Sequence, residues 1–141
     1  MTNPFVRIWI HCFFGTKDFM PLILDNFKDA LLEKIKLKFE NEFKCQIKNI
    51  SAENNHVHVL FLLNPNFKIT DIFKNIKGET SHWVNLNNFI EAKFTWQKSY
   101  FALSVSESQI EKVNQYISNQ SVYHTKHTFQ QEINEFAKKV L

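Results

Sequence analysis

The chain has 141 residues, 44% of them hydrophobic and 15% aromatic, and a formal net charge of only +3. That length suits a single domain, 1–141, large enough to bury a full core without disulfides or a structural metal. The weak charge excludes a surface-wide basic belt, so any phosphate contact has to come from a local cluster. The lone arginine, Arg7, disfavours bidentate readout of guanine.

Residues 5–14 (Phe-Val-Arg-Ile-Trp-Ile-His-Cys-Phe-Phe) predict a first strand, ended by Gly15-Thr16-Lys17-Asp18. Over 22–43, Leu24, Phe27, Leu31, Ile35, Phe39 and Phe43 recur at three- and four-residue steps, the period of an amphipathic helix. Residues 44–52 read as a second strand, and the turn Glu53-Asn54-Asn55 leads into a third over 56–63, closed by Asn64-Pro65-Asn66. Ile69, Ile72, Phe73 and Ile76, continuing through Trp83 and Leu86, predict a second helix that Gly78 is placed to interrupt. Residues 99–106 predict a fourth strand. A third helix is expected over 107–119 with Ser106 as its N-cap, and a last one over about 129–140, where Thr128 and Gln131 form a capping-box pattern. The order βαββαβ followed by helices is the ferredoxin-like, split-βαβ arrangement of the α+β class, an antiparallel sheet with helices on one face. A C-terminal helix bearing Tyr116 then has to cross the open face, from the same chain or from a partner.

Two features carry chemistry. In His56-Val57-His58 the imidazoles are two apart on a strand, on one face and roughly 6.6 Å from each other along it, so both can converge on one cation. Tyr116 and Gln120 are four apart in a helical segment and again share a face. Two imidazoles, an amide and a phenol are the parts of a metal-assisted tyrosine nucleophile. A phenol with its ordinary pKa near 10 needs such help at neutral pH, and a divalent ion both polarises a phosphate and orients it for in-line attack. Each piece also has a plain structural reading: an incidental His-x-His, a half-buried tyrosine, a solvated amide. His11, alternating with Arg7 and Trp9, either faces DNA or packs, and Lys36, Lys38, Lys44 and Lys48 either track phosphates or form a solvated face.

Cys12 and Cys45 form no Cys-x-x-Cys pair, which argues against a thiolate zinc site. No apolar run approaches the roughly 18 residues of a membrane span, and the N-terminus lacks the pattern of a secretory leader. A cytoplasmic protein with free thiols and no membrane association is the expectation.

His56-Val57-His58 matches the His-hydrophobic-His (HUH) motif. Thr16-Lys17, Ile76-Lys77-Gly78, Trp96-Gln97-x-x-Tyr100, Phe101-Ala102-x-Ser104-Val105-Ser106 and Tyr116-Ile117-x-Asn119-Gln120 accompany it in a consistent order. Over nearly its whole length the chain resembles the single-tyrosine HUH transposases, the small transposases of single-strand insertion sequences and their REP-associated relatives. The resemblance implies a Mg²⁺- or Mn²⁺-dependent enzyme that cleaves and rejoins single-stranded DNA, recognises DNA hairpins and works as a homodimer. It implies Tyr116 as nucleophile, forming a 5′-phosphotyrosine, and His56, His58 and Gln120 as metal ligands. Lys74 and Lys77 flank the region where members of the family grip hairpin DNA, and the tyrosine helix can serve a partner's metal site. The chain departs from the family pattern at Asn55, where an acidic residue is usual before the first histidine, and at Ser99, where glycine is usual. The histidine pair usual after the glutamine is spread to His124 and His127. Asn55 is expected to loosen the orientation of a ligand histidine. Alternatives are a domesticated nickase that processes palindromes, and a non-catalytic ferredoxin-like module that binds single strands on exposed aromatics.

Overall fold

The structure is a computed structural model and describes residues 5–119 together with Gln131 and Asn134. Four antiparallel strands form one sheet: β1 (Trp9–Gly15), β2 (Gln46–Ala52), β3 (His56–Leu62) and β4 (Phe101–Val105). Their spatial order is β2-β3-β1-β4, the ferredoxin-like order expected from the chain. Two helices, α1 (Asp25–Leu37) and α2 (Ile69–Leu86), contribute to the main core, and α3 (Ile110–Ser118) packs on the opposite sheet face. Among the described residues no helix is long and apolar enough to cross a membrane.

The alternation along β1 and β3 divides the core in two. Ile10, Cys12 and Phe14 of β1 join Val57, Val59 and Phe61 of β3 in the main core, with Phe27, Leu31 and Ile35 of α1 and Ile72, Phe73 and Ile76 of α2. The other face carries Trp9 and Leu60, which pack against Ile110 and Ile117 of α3. Both faces of the central strands are therefore buried, and this is why β3 reads as an almost unbroken apolar run.

Several boundaries differ from those the sequence predicts. The first strand begins at Trp9, and Gly15 belongs to it. The helix expected from residue 22 begins at Asp25 because Leu22 and Ile23 enter the core before it starts, and Leu24 is still extended (φ −84°, ψ 152°). After Leu37 the backbone widens into a π-helical turn over Lys38–Glu42. Gly78 does not interrupt α2, which runs unbroken through it. Ser106 makes no side-chain cap. It is extended, and its carbonyl accepts from the Gln109 N–H at 2.9 Å to open a 3-10 turn over Glu107–Gln109 ahead of α3. The last expected helix and its capping box lie outside the described residues, apart from Gln131 and Asn134, which are helical.

Candidate active site

His56 and His58 project from β3 toward the face that α3 crosses, both buried (1% and 0% exposed). Their ring centroids are 5.1 Å apart with planes at 77°, a separation at which two imidazoles can share one cation. Each ring has its Nδ1 engaged by a neighbour. His56 Nδ1 lies 2.7 Å from Asn55 Oδ1, an oxygen that can only accept, so Nδ1 carries a proton and the neutral ring has its lone pair on Nε2. Asn55 thus holds His56 by a hydrogen bond to a neutral amide oxygen, which lacks the charge of a carboxylate. His58 Nδ1 lies 2.9 Å from His11 Nε2.

His11 comes from β1. Its register partner is Leu60 and that of His58 is Phe13, so the two histidines meet diagonally across the β1–β3 pair. His11 is 3% exposed, and its pKa is pushed down to about 3, first by burial and second by the proximity of His58. At neutral pH it is therefore an uncharged ring. Phe13 packs at 5.2 Å from the His58 centroid and stacks on Phe101 of β4 at 4.6 Å. Opposite His56 stands Gly15, which adds no side chain beside that ring.

Tyr116 reaches the same place from α3. Its half-buried ring stands edge-on to His58 (5.7 Å, 84°) and to His11 (6.0 Å, 71°). What holds α3 there is partly apolar, through Ile110 and Ile117, and partly polar. Asn49 Nδ2 donates to Asn114 Oδ1 at 2.8 Å and to Ser118 Oγ at 2.9 Å, and the Ser51 hydroxyl donates to the Ile117 carbonyl at 3.3 Å. At the start of the helix, Arg7 Nε (2.6 Å) and Trp9 Nε1 (3.0 Å) both donate to Glu107 Oε1. The hydrogen bond from Arg7 holds the Glu107 carboxyl below its ordinary range. The tyrosine is thus brought to the histidine pair of its own chain.

Residues 5–120 match the family model for IS200-like transposases. The chain belongs to the IS200-like transposase family. Two solved structures share its fold. One is a candidate transposase from Deinococcus radiodurans R1, with 23% identity, 85% of this chain and 96% of that one covered, and a TM-score of 0.65. The other is a REP-associated tyrosine transposase bound to a REP hairpin, with 12% identity, 88% of this chain and 73% of that one covered, and a TM-score of 0.66. No curated protein matches the sequence. The chain is therefore an enzyme of the HUH single-tyrosine transposases.

Of the residues singled out in the transposase sequence, His56, His58, His11 and Tyr116 converge, while Gln120 lies outside the described residues, as do His124 and His127. Among the described residues no group of three or more histidines, cysteines or acidic residues is placed to hold a metal. The donor set nevertheless fits a divalent ion in part, with two imidazoles oriented through Nδ1 and a further ligand to come from elsewhere.

Lys77 donates to the carbonyls of Gln97, Lys98 (3.1 Å) and Ser99 (3.3 Å), and burial lowers its pKa. Lys74 is exposed, and both lysines line a groove of about 310 Å³ with Thr70, Phe73, Lys98 and Tyr100. Lys38 and Lys48 are both engaged in ion pairs within the chain. Lys38 is buried between Glu42 and Glu79, and Lys48 pairs with Glu111 at 3.2 Å. Sequence reasoning missed the support that Asn55 and His11 give the histidine pair, and the tether at Glu107. The first had a signal, since Asn55 adjoins the motif. The other two depend on strand register and on where the α3 entry lands.

Proposed function

We propose that this transposase cleaves and rejoins single-stranded DNA that carries hairpins, with Tyr116 as the nucleophile and His56, His58 and Gln120 holding a Mg²⁺ or Mn²⁺ ion. The observation that carries the reading is the approach of the Tyr116 ring to 5.7 Å from that of His58, on the sheet face where the two motif imidazoles sit side by side. When bound, the ion would neutralise charge on the scissile phosphate and orient it for in-line displacement. The Tyr116 oxygen forms the new P–O bond as the P–O3′ bond breaks. The phenol proton is lost, the 3′ oxygen gains one, and a 5′-phosphotyrosine and a free 3′-OH result. The reverse attack by a 3′-OH reseals a strand without ATP, because the phosphodiester energy is conserved in the phosphotyrosine.

The imidazoles are buried in this state, so a phosphate reaches them only through an opening over the pair. Asn55 beside His56 and Tyr116 beside His58 restrict where that phosphate can settle. The hairpin-bound structural neighbour supports a hairpin as the DNA element recognised, and Lys74, which shares the exposed rim of the α2 groove with Lys98, is a cation that would meet its backbone. A homodimer is part of the proposal, with β4, which among the described residues pairs with β1 alone, as an available edge. The contact of Tyr116 with His58 of the same chain supports sites that use Tyr116 in cis, with the exchanged helix as the alternative.

Incubating the protein with end-labelled single-stranded hairpin DNA and Mn²⁺ tests the reading. Cleavage products and a covalent protein–DNA band should form on denaturing gels and disappear with EDTA or in His58→Ala. EDTA-resistant cleavage would refute the metal-assisted mechanism.

A further inference from the structure

We infer that His11 is a positioning residue that selects the tautomer in which His58 can bind a metal. The inference rests on the reading of His56 and His58 as a metal pair and extends it to a residue on another strand.

The two histidines are oriented by different kinds of neighbour. At Nδ1 of His56 the neighbour is an amide oxygen, which accepts only, so that nitrogen carries a proton. The partner of His58 is another imidazole nitrogen, at 2.9 Å. One proton lies between His58 Nδ1 and His11 Nε2, and either ring can own it. If His58 owns it, its Nε2 lone pair is available and both motif histidines present the same nitrogen. If His11 owns it, neutral His58 carries its proton on Nε2 and cannot coordinate through that atom. Metal binding by the pair through Nε2 therefore requires His11 to offer its Nε2 as an acceptor.

Packing holds the bridge in place. The His11 and His58 planes are within 21° of each other, Phe13 lies at 5.2 Å from His58 and 6.0 Å from His11, and the Tyr116 ring stands edge-on to both. A ring rotation that broke the contact would have to displace Phe13, which is itself stacked on Phe101. A buried histidine used only as a filler would need ring volume and nothing more. The geometry also sets a His11 ring nitrogen at a defined place beside His58 Nδ1, where it can serve as the acceptor.

That difference gives the test. In metal-free protein, ¹⁵N NMR of the imidazoles should find His58 protonated on Nδ1. Titration calorimetry with Mn²⁺ alone should then show about 10- to 100-fold weaker binding for His11→Phe, which keeps a ring and removes the acceptor. His11→Gln, whose side-chain oxygen can occupy the Nε2 position, should recover most of that loss. His58 protonated on Nε2 in the unmodified protein would overturn the proposal without any variant having to fold. Mn²⁺ affinity unchanged in His11→Phe would overturn it too, as would His11→Gln binding no better than His11→Phe. Unmodified protein that takes up no Mn²⁺ refutes the metal-pair reading instead, while the tautomer assignment is still decided by NMR.

Discussion

Replacing Ile117 with alanine should release α3, and with it Tyr116, without unfolding the sheet. Ile117 is fully buried and, with Ile110, is one of the two α3 residues buried in the smaller core, against which Val113 and Tyr116 also pack; the sheet contributes Trp9 and Leu60. Truncation of a buried isoleucine to alanine costs about 2–5 kcal/mol, of which the lower end applies where a helix can settle toward the gap. A loss of about 2 kcal/mol shifts the docking equilibrium about 30-fold. The hydrogen bonds from Asn49 and Ser51 to α3 do not involve the deleted side chain, so they oppose release but do not replace the apolar contact. Native-state hydrogen exchange reads the outcome directly. Amides of α3 should exchange about 30-fold faster in Ile117→Ala, and those of β1 and β3 should change far less. Ile117→Val, with an expected cost of about 0.5–1.5 kcal/mol, should fall between. Uniform acceleration across sheet and helix would refute the reasoning, because α3 would then be no separable unit. Unchanged α3 amides would refute it from the other side.

His11 makes stability fall on the acid side. Its pKa is about 3 in the fold against the ordinary histidine value of 6.5, so the unfolded chain binds more protons between those limits. The contribution is fully present above about pH 6.5 and is lost as pH falls toward 3, by at most about 5 kcal/mol, so urea melts should decline less steeply with acid in His11→Phe. Gly78→Ala should stabilise the protein by roughly 0.5–1 kcal/mol in thermal melts, since Gly78 is exposed within α2 and an added Cβ meets nothing within 4 Å. Lys77 and Lys74 should separate. Lys77→Met removes the donor to the carbonyls of residues 97–99 and should cost about 1–3 kcal/mol. Lys74→Ala should leave stability within about 0.5 kcal/mol and lower the salt dependence of DNA binding.

The fold was largely legible because its strongest signals are periodic. The α1 stripe from Phe27 to Ile35 and the apolar run of β3 report elements that bury one face or both, and the order of those elements leaves few topologies. What failed were boundaries set by tertiary contacts. Leu22 and Ile23 continue the apolar pattern of α1 but reach the core from extended chain, and Gly78 looks like a break but occupies an exposed helical position where glycine is tolerated. At the site, His56, His58 and Tyr116 were legible from spacing and from family resemblance, because residue type and periodicity carry that information. His11 was visible only as an ambiguous strand histidine. Its diagonal meeting with His58 follows from β1–β3 register, which no local pattern encodes. The same holds for Lys77, whose partners are 20 to 22 residues away in sequence.

The central claim is that Tyr116 carries the DNA during the reaction, and peptide mapping tests it most directly. The protein is reacted with single-stranded hairpin DNA and Mn²⁺, the DNA is trimmed with nuclease, and tryptic peptides are sequenced by tandem mass spectrometry. A nucleotide joined through its 5′ phosphate should be found on Tyr116, with no adduct in Tyr116→Phe. An adduct on Tyr100 or Tyr123, or one that persists in Tyr116→Phe, would contradict the account.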